Sequence, residues 1–323
     1  MNLLSIMIDF KFRTITELIR TFSDEQKCIT FLEEIIWEGN PVSPFDPTSK
    51  VYKCKNNKYR CKNTGKYFNV KHGTIFENSN VRLQDWFVAI WLYTSHKGGL
   101  SSMELHREIG VTQKTAWFML QRLRFCSGSE NQSVLDNEIE MDETFIGGKN
   151  KNRHANKKIK QSQGRSCKGK VPVFGMIERN GKVVARVVPS TSTKDLMPVI
   201  MRFSNSFCTV YTDEWGAYNW LGEIYDHYVV NHSKREYVRD EVHTNNIETF
   251  WSRVKNCIAT YRVVSPGHLQ FYVHEFVFRR NTCNFVPEER FLHLLNTVKG
   301  YRLTYKKLKE NARKNRIYLK IDN

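Results

Sequence analysis

The chain has 323 residues, enough for about two domains with a buried core, and its 50 Lys and Arg exceed its 33 Asp and Glu by 17. Such an excess favours a polyanionic partner, DNA or RNA first. No run of about 18 apolar residues occurs, so no transmembrane helix is expected, and the opening MNLLSIMIDFKFR, with Asp9 and no small-residue cleavage site, does not read as a signal peptide. Eight cysteines without any CxxC pair argue against a disulfide framework and for a reducing compartment. The expected location is the cytoplasm, at the nucleoid in a bacterium, or the nucleus in a eukaryotic host.

In chain order, residues 1–40 look helical, with Ile15, Ile19 and Phe22, then Cys28, Phe31, Leu32 and Ile35 recurring at helical spacing. Pro41, Pro44 and Pro47 stop the pattern. Three short strands follow over 50–77, in VYKC, KYRC and KYFNV, turning at Gly65 and Gly73. Cys54 and Cys61 invite a zinc reading, but four ligands are needed and Thr64 stands where a CxxC would finish. Residues 82–125 are helical, with Trp86, Ala89, Ile90 and Tyr93 as one apolar stripe. Within them Ser101–Ile109, the turn Gly110-Val111-Thr112 and Gln113–Phe125 have the layout of a helix-turn-helix. Gln113, Lys114, Gln121, Arg122 and Arg124 are the polar donors of its second helix, with Ala116, Trp117, Leu120 and Leu123 turned inward. An ordinary helical hairpin fits the same pattern.

A polar gap at Ser127–Asp136 marks a boundary. The alternating run Glu138–Ile146 then predicts a strand, followed by Lys149–Lys170, which holds nine Lys and Arg and no acid and suits phosphates. Lys157, Lys158 and Lys160 are the candidate contacts there. Val171–Glu178 and Lys182–Val188 read as strands joined by an Asn180-Gly181 hairpin turn. A helix at Thr193–Phe203, a strand ending at Asp213, a short aromatic helix, the strand HYVVNH and a helix through Thr244–Tyr261 complete the unit. Thr244 or Asn245 would cap that helix.

Three acids stand out: Asp142 on the first strand, Asp213 ending the fourth, and Glu248 on the late helix. They lie 71 and 35 residues apart, and the order of elements is that of a ribonuclease-H-like sheet, which gathers such positions at one point. Three carboxylates at one point repel unless cations neutralise them. Two divalent ions about 4 Å apart, clamping a phosphodiester, meet that need. Glu143 and Glu214, beside two of these acids, read as solvated surface. Lys255, seven residues after Glu248, shares a helix face with it and suits a DNA phosphate. His232 and Lys234, closing the fifth strand, suit phosphate or DNA as well. The basic tail Lys299–Asn323 reads equally as phosphate-contacting or as solvated.

Taken together, MDETFIGGKNKNRH, YTDEWGAY, VVNHSKREYV, TNNIETFWSRVK and HLQFYVHEFVFRRN resemble the Merlin-like, ISXO-type DDE transposases of insertion sequences, and VTQKTAWFMLQRLR resembles their helix-turn-helix. The likeness runs through roughly residues 20–285. It implies an α/β fold: a ribonuclease-H-like mixed-sheet catalytic core preceded by a small degenerate zinc-ribbon-like β module and a helix-turn-helix. The implied domains are 1–80, 81–130, 131–298 and a basic tail 299–323. Asp142, Asp213 and Glu248 match the catalytic and metal-holding acids, and Lys255 the basic residue after the third.

The resemblance also implies two Mg2+ or Mn2+ ions, double-stranded DNA at element ends and target as partner, and a homodimer or larger synaptic complex. Cleavage at the element ends would be followed by attack of the 3′-hydroxyl on target DNA. No GxxxxGK[ST] occurs and strand transfer needs no ATP. Zinc is not expected, because only Cys54 and Cys61 remain where four ligands would stand, and Tyr52, Tyr59, Tyr67 and Phe68 would hold the β module instead. The alternatives are an endonuclease or resolvase without strand transfer, or a non-catalytic DNA-binding regulator derived from a transposase. Loss of one acid would mark the regulator, and all three acids are present.

Overall fold

The computed structural model describes residues 12–147, 169–230 and 243–319. The chain divides into two compact units, Met1–Cys126 with Asn284–Thr304 and Ser127–Cys283 with Tyr305–Asn323. The boundary near residue 127 falls at the polar gap read from the sequence. The later segment 284–304, by contrast, packs with the first unit rather than staying with 131–298.

In the first unit, α1 (Ile15–Thr21) and α2 (Glu25–Trp37) start on their own caps: Thr14 with Glu17 forms a capping box, and Asp24 accepts from the Lys27 amide. A small antiparallel sheet follows, β1 (Val51–Lys53), β2 (Tyr59–Cys61) and β3 (Tyr67–Phe68). Alternation turns Tyr59 and Cys61 inward and Arg60 outward. Of the four aromatic residues expected to hold this module, Tyr59 and Phe68 are buried, stacked 5.8 Å apart, while Tyr52 and Tyr67 are exposed. Trp37 completes the cluster, edge-on to both.

Val51 pairs with Cys61, and Cys54 bonds its amide to Lys58 beyond the other end of the ladder. The two cysteines therefore sit about three residues of strand apart, roughly 10 Å, too far to share an ion. The buried Cys61 thiol is instead ringed by hydroxyls. Burial pushes its pKa up, but hydrogen bonds from Ser43, Ser49 and Thr64 outweigh this and lower it to about 6.

Helices α3 (Leu83–Ser95), α4 (Ser102–Ile109) and α5 (Gln113–Cys126) follow. Arg82 offers α3 no side-chain cap, so Glu25 of α2 supplies one, accepting from the Leu83 and Gln84 amides at 2.6 and 3.4 Å. α4 has its own capping box, Ser101 with Glu104, and ends on Gly110 at φ 71°, a left-handed turn a side chain would strain.

The second unit is built on a five-stranded mixed sheet in the order β6-β5-β4-β7-β8. Its strands are β4 (Glu138–Ile146), β5 (Val171–Glu178), β6 (Val183–Val187), β7 (Thr209–Asp213) and β8 (Asp226–Val230). β4, β5 and β6 pair antiparallel, with Asn180 at φ 59° in the β5–β6 turn, while β4, β7 and β8 pair parallel. Helix α6 (Thr193–Phe203) crosses between β6 and β7. The aromatic segment expected as a short helix forms two 3-10 turns, Gly216–Tyr218 and Leu221–Glu223.

Each face of the sheet buries its own core. Ile139, Met141, Phe174 and Val210 pack with Leu196 and Ile200 of α6 on one side. Val173, Ile177 and Ala185 pack on the other with α7 (Asn245–Thr260) and α8 (Leu269–Asn281). The chain then passes to the first unit for α9 (Pro287–Asn296), whose Phe291 packs edge-on to Phe12 and Phe87. It returns to the second unit for α10 (Tyr305–Tyr318). The basic tail is thus divided, with 299–304 in one unit and a helix on the other.

Gly175 of β5 sets how closely α7 approaches the sheet. A Cβ there would lie 2.4 Å from the Trp251 indole and 3.1 Å from Ile247. Gly175→Ala should destabilise the protein by about 1–3 kcal/mol, the usual cost of overpacking. Urea unfolding followed by tryptophan fluorescence measures it, and an unchanged midpoint would refute this packing.

Candidate active site

Strand alternation sorts β4 into two rows. Ile139 and Met141 belong to the α6 side, so Glu138, Glu140 and Asp142 face α7. On β7, Val210 also faces α6, which turns Tyr211 and Asp213 to the α7 side. The parallel β4–β7 ladder runs Glu138–Thr209, Ile139–Val210, Glu140–Tyr211. Two residues beyond its last pair, on adjacent strands and the same face, stand Asp142 and Asp213. Across β4–β5, Asp142 pairs with Gly175, the residue over which Ile247 and Trp251 pack. Glu248 lies between those two contacts on the helix and flanks them.

The electrostatics agree with this placement. Burial pushes the Asp142 carboxyl up to about 7, a hydrogen bond from the Glu143 amide opposes the shift, the charges of Asp213 and Glu248 add to it, and Lys255 partly relieves it. The other three sequence-predicted groups therefore all act on Asp142. Asp213 accepts from the Trp215 amide at 3.0 Å, and Glu248 accepts from the Thr244 hydroxyl at 3.0 Å, which orients both carboxylates. Among the described residues no three acids, histidines or cysteines stand close enough to enclose a metal ion by themselves.

What holds α7 over this face is Glu140, a residue the sequence reading passed over. Its side chain is fully buried. One oxygen accepts from the Asn246 and Ile247 amides at 2.8 and 3.1 Å, and the other from the Asn246 side chain at 2.8 Å and Arg179 Nε at 3.1 Å. His243 Nδ1 lies 3.2 Å from the second oxygen. Thr244, expected as a cap, makes no side-chain capping bond, so the carboxylate of β4 caps the helix from across the sheet. Arg179 in turn donates to the His243 carbonyl and to Glu138, and lies 3.9 Å over the Tyr211 ring, whose hydroxyl donates to Glu138. The period-two row Glu138, Glu140, Asp142 was visible in the sequence, but the partners 39 and more residues away were not.

Glu143 corrects a second expectation. It is not simply solvated surface: the buried Tyr218 hydroxyl donates to it at 2.5 Å. Burial, then Glu143, Asp142 and Asp213, raise the tyrosine pKa well above its ordinary value. Glu214 is exposed as expected.

Of the candidate DNA contacts, Gln113 and Lys114 are exposed at the start of α5, with Gln113 donating to Ser102 at 2.8 Å. Lys255 is exposed on α7. Arg122 is not a DNA contact. It is 6 % exposed, donates to the Leu303 and Ile75 carbonyls at 3.2 and 2.7 Å, and lies 4.6 Å over the Phe118 ring. Burial lowers its pKa to about 10. Gln121 and Arg124 are buried as well, because the second half of α5 is enclosed on every side. Lys157, Lys158, Lys160, His232 and Lys234 lie outside the described residues.

Comparison with known proteins accords with this arrangement. The ISXO2-like transposase domain family matches residues 134–281. The chain carries an ISXO-type transposase domain. It is also 28 % identical over 295 residues, 87 % of this chain and 99 % of the other, to an uncharacterized protein in the transposable element ISH50 of Halobacterium salinarum. The domain takes in the whole mixed sheet with α6, α7 and α8. No helix among the described residues is long and apolar enough to cross a membrane.

Two outcomes test the site. Asp142 has a raised pKa in the folded chain, so its contribution to stability is complete below about pH 4 and is lost as pH rises through 7. In metal-free protein the melting temperature of wild type relative to Asp142→Asn should therefore fall between pH 4 and 8. Mn2+ should raise the wild-type value more at pH 8 than at pH 5, and a flat difference would contradict the buried, crowded carboxyl. Separately, Glu140→Ala strands the Arg179 charge and two helix amides and should cost about 3–5 kcal/mol in urea titration.

Proposed function

We propose that the chain is a DNA transposase that cleaves at the ends of its mobile element and joins the freed 3′-hydroxyls to target DNA, with Asp142, Asp213 and Glu248 as its catalytic acids. The observation that carries this reading is a buried Asp142 carboxyl, felt by Asp213 and Glu248, on one face of the region matched by the ISXO2-like transposase domain. The sheet order, antiparallel through β6-β5-β4 and parallel through β4-β7-β8, supports a ribonuclease-H-like core.

The donor set suits hard divalent cations, Mg2+ or Mn2+: three carboxylates, no thiol, and one carboxyl that burial, aided by its acidic neighbours, keeps partly protonated near neutral pH. Asp142, Asp213 and Glu248 would hold them. Mg2+ usually takes one or two carboxylates plus substrate phosphates rather than an all-protein cage, which agrees with three acids that do not enclose an ion unaided. A bound pair of ions would supply Lewis acidity toward the phosphodiester and a nucleophilic oxygen at neutral pH.

The chain's own groups do the rest. Asp142 releases its proton as positive charge arrives beside it. Thr244 orients the Glu248 carboxylate and the Trp215 amide that of Asp213. Lys255 faces the same acids and suits a phosphate held against them. Water addition to the phosphodiester frees a 3′-hydroxyl. That hydroxyl then forms one P–O bond to target DNA as another breaks, so no external energy source is required.

Helices α4 and α5 suit a helix-turn-helix, with Gln113 and Lys114 at the entering end of the second helix, where side chains meet base edges. The β module before them keeps a ribbon-like form around hydroxyls and aromatic rings. The basic segment with Lys157, Lys158 and Lys160, and His232 with Lys234, are assigned to phosphates. Two element ends must be held together, so a dimer or larger synaptic complex is the working assembly.

The test uses full-length protein, a labelled duplex bearing the element's own end and a target plasmid. Asp142→Asn and Glu248→Gln should each reduce cleavage and joining on the order of 10²–10³-fold, as for loss of a group that stabilises transition-state charge. Duplex affinity should stay within about twofold, because α5 belongs to a different compact unit from the acids. Cleavage without joining by the wild type would leave an endonuclease, and undiminished cutting by Asp142→Asn would refute the assignment of the acids.

A further inference from the structure

Helix α10 has two unlike faces. Successive residues turn by about 100°, which puts Leu308, Ala312, Asn315 and Leu319 in one row. Leu308 and Leu319 are buried, and Ala312 and Asn315 are half-buried. The row is seated on the turn Pro266–His268: Asn315 donates to the Gly267 carbonyl at 2.9 Å, and a Cβ on Gly267 would lie 2.6 Å from the Ala312 carbonyl oxygen. The rest of the circumference carries Lys306, Lys307, Lys309, Arg313, Lys314 and Arg316, with one acid, Glu310, and with Tyr305, Ile317 and Tyr318 exposed at the two ends of the helix.

Two buried leucines are a thin apolar hold for a helix of 14 residues, reached only after the chain has left the second unit and come back. A merely solubilising face mixes both signs, whereas a single-sign face creates a field that draws a polyanion. The position fits that role. The last turn of α10 meets the sheet in a small cleft with Val187 of β6. Val187 pairs with Val173, which pairs with Thr144, two residues along β4 from Asp142. Two strand spacings make about 10 Å, and Leu319 packs in the same core as α7, on the face of the three acids. A membrane surface is a poor alternative, because the apolar row is already turned inward.

We infer that the outer face of α10 is a second DNA-phosphate surface, binding the duplex beside the acids without reading its sequence. This rests on the transposase reading above. The test measures binding of full-length protein to a labelled random-sequence duplex by fluorescence anisotropy over a range of salt concentrations. For the triple variant Lys306→Gln, Lys309→Gln, Arg313→Gln, the slope of log K against log salt should flatten by about 0.9 per lost phosphate contact, up to about 2.7 in all. At 0.15 M salt each lost contact corresponds to roughly fivefold weaker binding.

Glu310→Gln should act in the opposite sense and tighten binding. All four positions are exposed, and unchanged circular dichroism and melting temperature would confirm folding. A triple variant with the wild-type slope, or a Glu310→Gln variant with unchanged affinity, overturns the proposal for α10 alone. A wild-type protein that binds no duplex even at low salt overturns the DNA reading itself. Duplex RNA competing as well as DNA would assign the helix to RNA and overturn it too.

Discussion

The second unit turns on one buried carboxylate. Glu140 has no access to water, and an isolated charge there would be prohibitively costly. It is tolerable because donors surround it: two amides at the start of α7, the Asn246 side chain and Arg179. The helix needs the interaction equally, since its first amides have no other cap and its positive end favours an anion. The same contact joins β4, which carries Asp142, to α7, which carries Glu248. Asp142 and Glu248 are thus held in relation by a contact whose two sides, Glu140 and Asn246, lie two residues from each, and Gly175 sets the distance of approach by giving the Trp251 ring its space.

The first unit uses the same device. α3 has no side-chain cap, and Glu25 of α2 supplies one while pairing with Lys71. In both places a helix start is specified by a carboxylate remote in sequence, which fixes the angle of the helix as well as its first residue. Locally capped helices such as α1 and α4 carry no such tertiary information.

Burial beside other acids explains the character of the site. Asp142, Asp213 and Glu248 share a face, and burial with mutual repulsion keeps Asp142 partly protonated at neutral pH. The unfavourable charge density resides in side chains that a cation can relieve. Glu143 faces the other side of β4, where a buried tyrosine takes it up, so the strand separates an acid that needs a counter-charge from one already satisfied.

Elements with a strong local signal were legible in the sequence. The α6 boundaries, the Asn180-Gly181 turn, the strand ending at Asp213 and the row of acids on β4 follow from periodicity and turn chemistry, which depend on residues a few positions apart. The expectation for the three acids rests on the same signals, through their places on those elements. What the sequence could not disclose depends on partners far along the chain. Arg122 looks like a DNA contact on a helical wheel, yet its guanidinium meets the carbonyls of Ile75 and Leu303. Glu140 looks like one more acid on a polar strand face until Arg179 and Asn246 are placed around it. The segment 284–304 joins the first unit because Phe291 completes an aromatic cluster begun at Phe12. Local patterns settled which elements form; long-range packing alone decided which charges are buried, which helix starts are capped from afar and which basic residues stay at the surface.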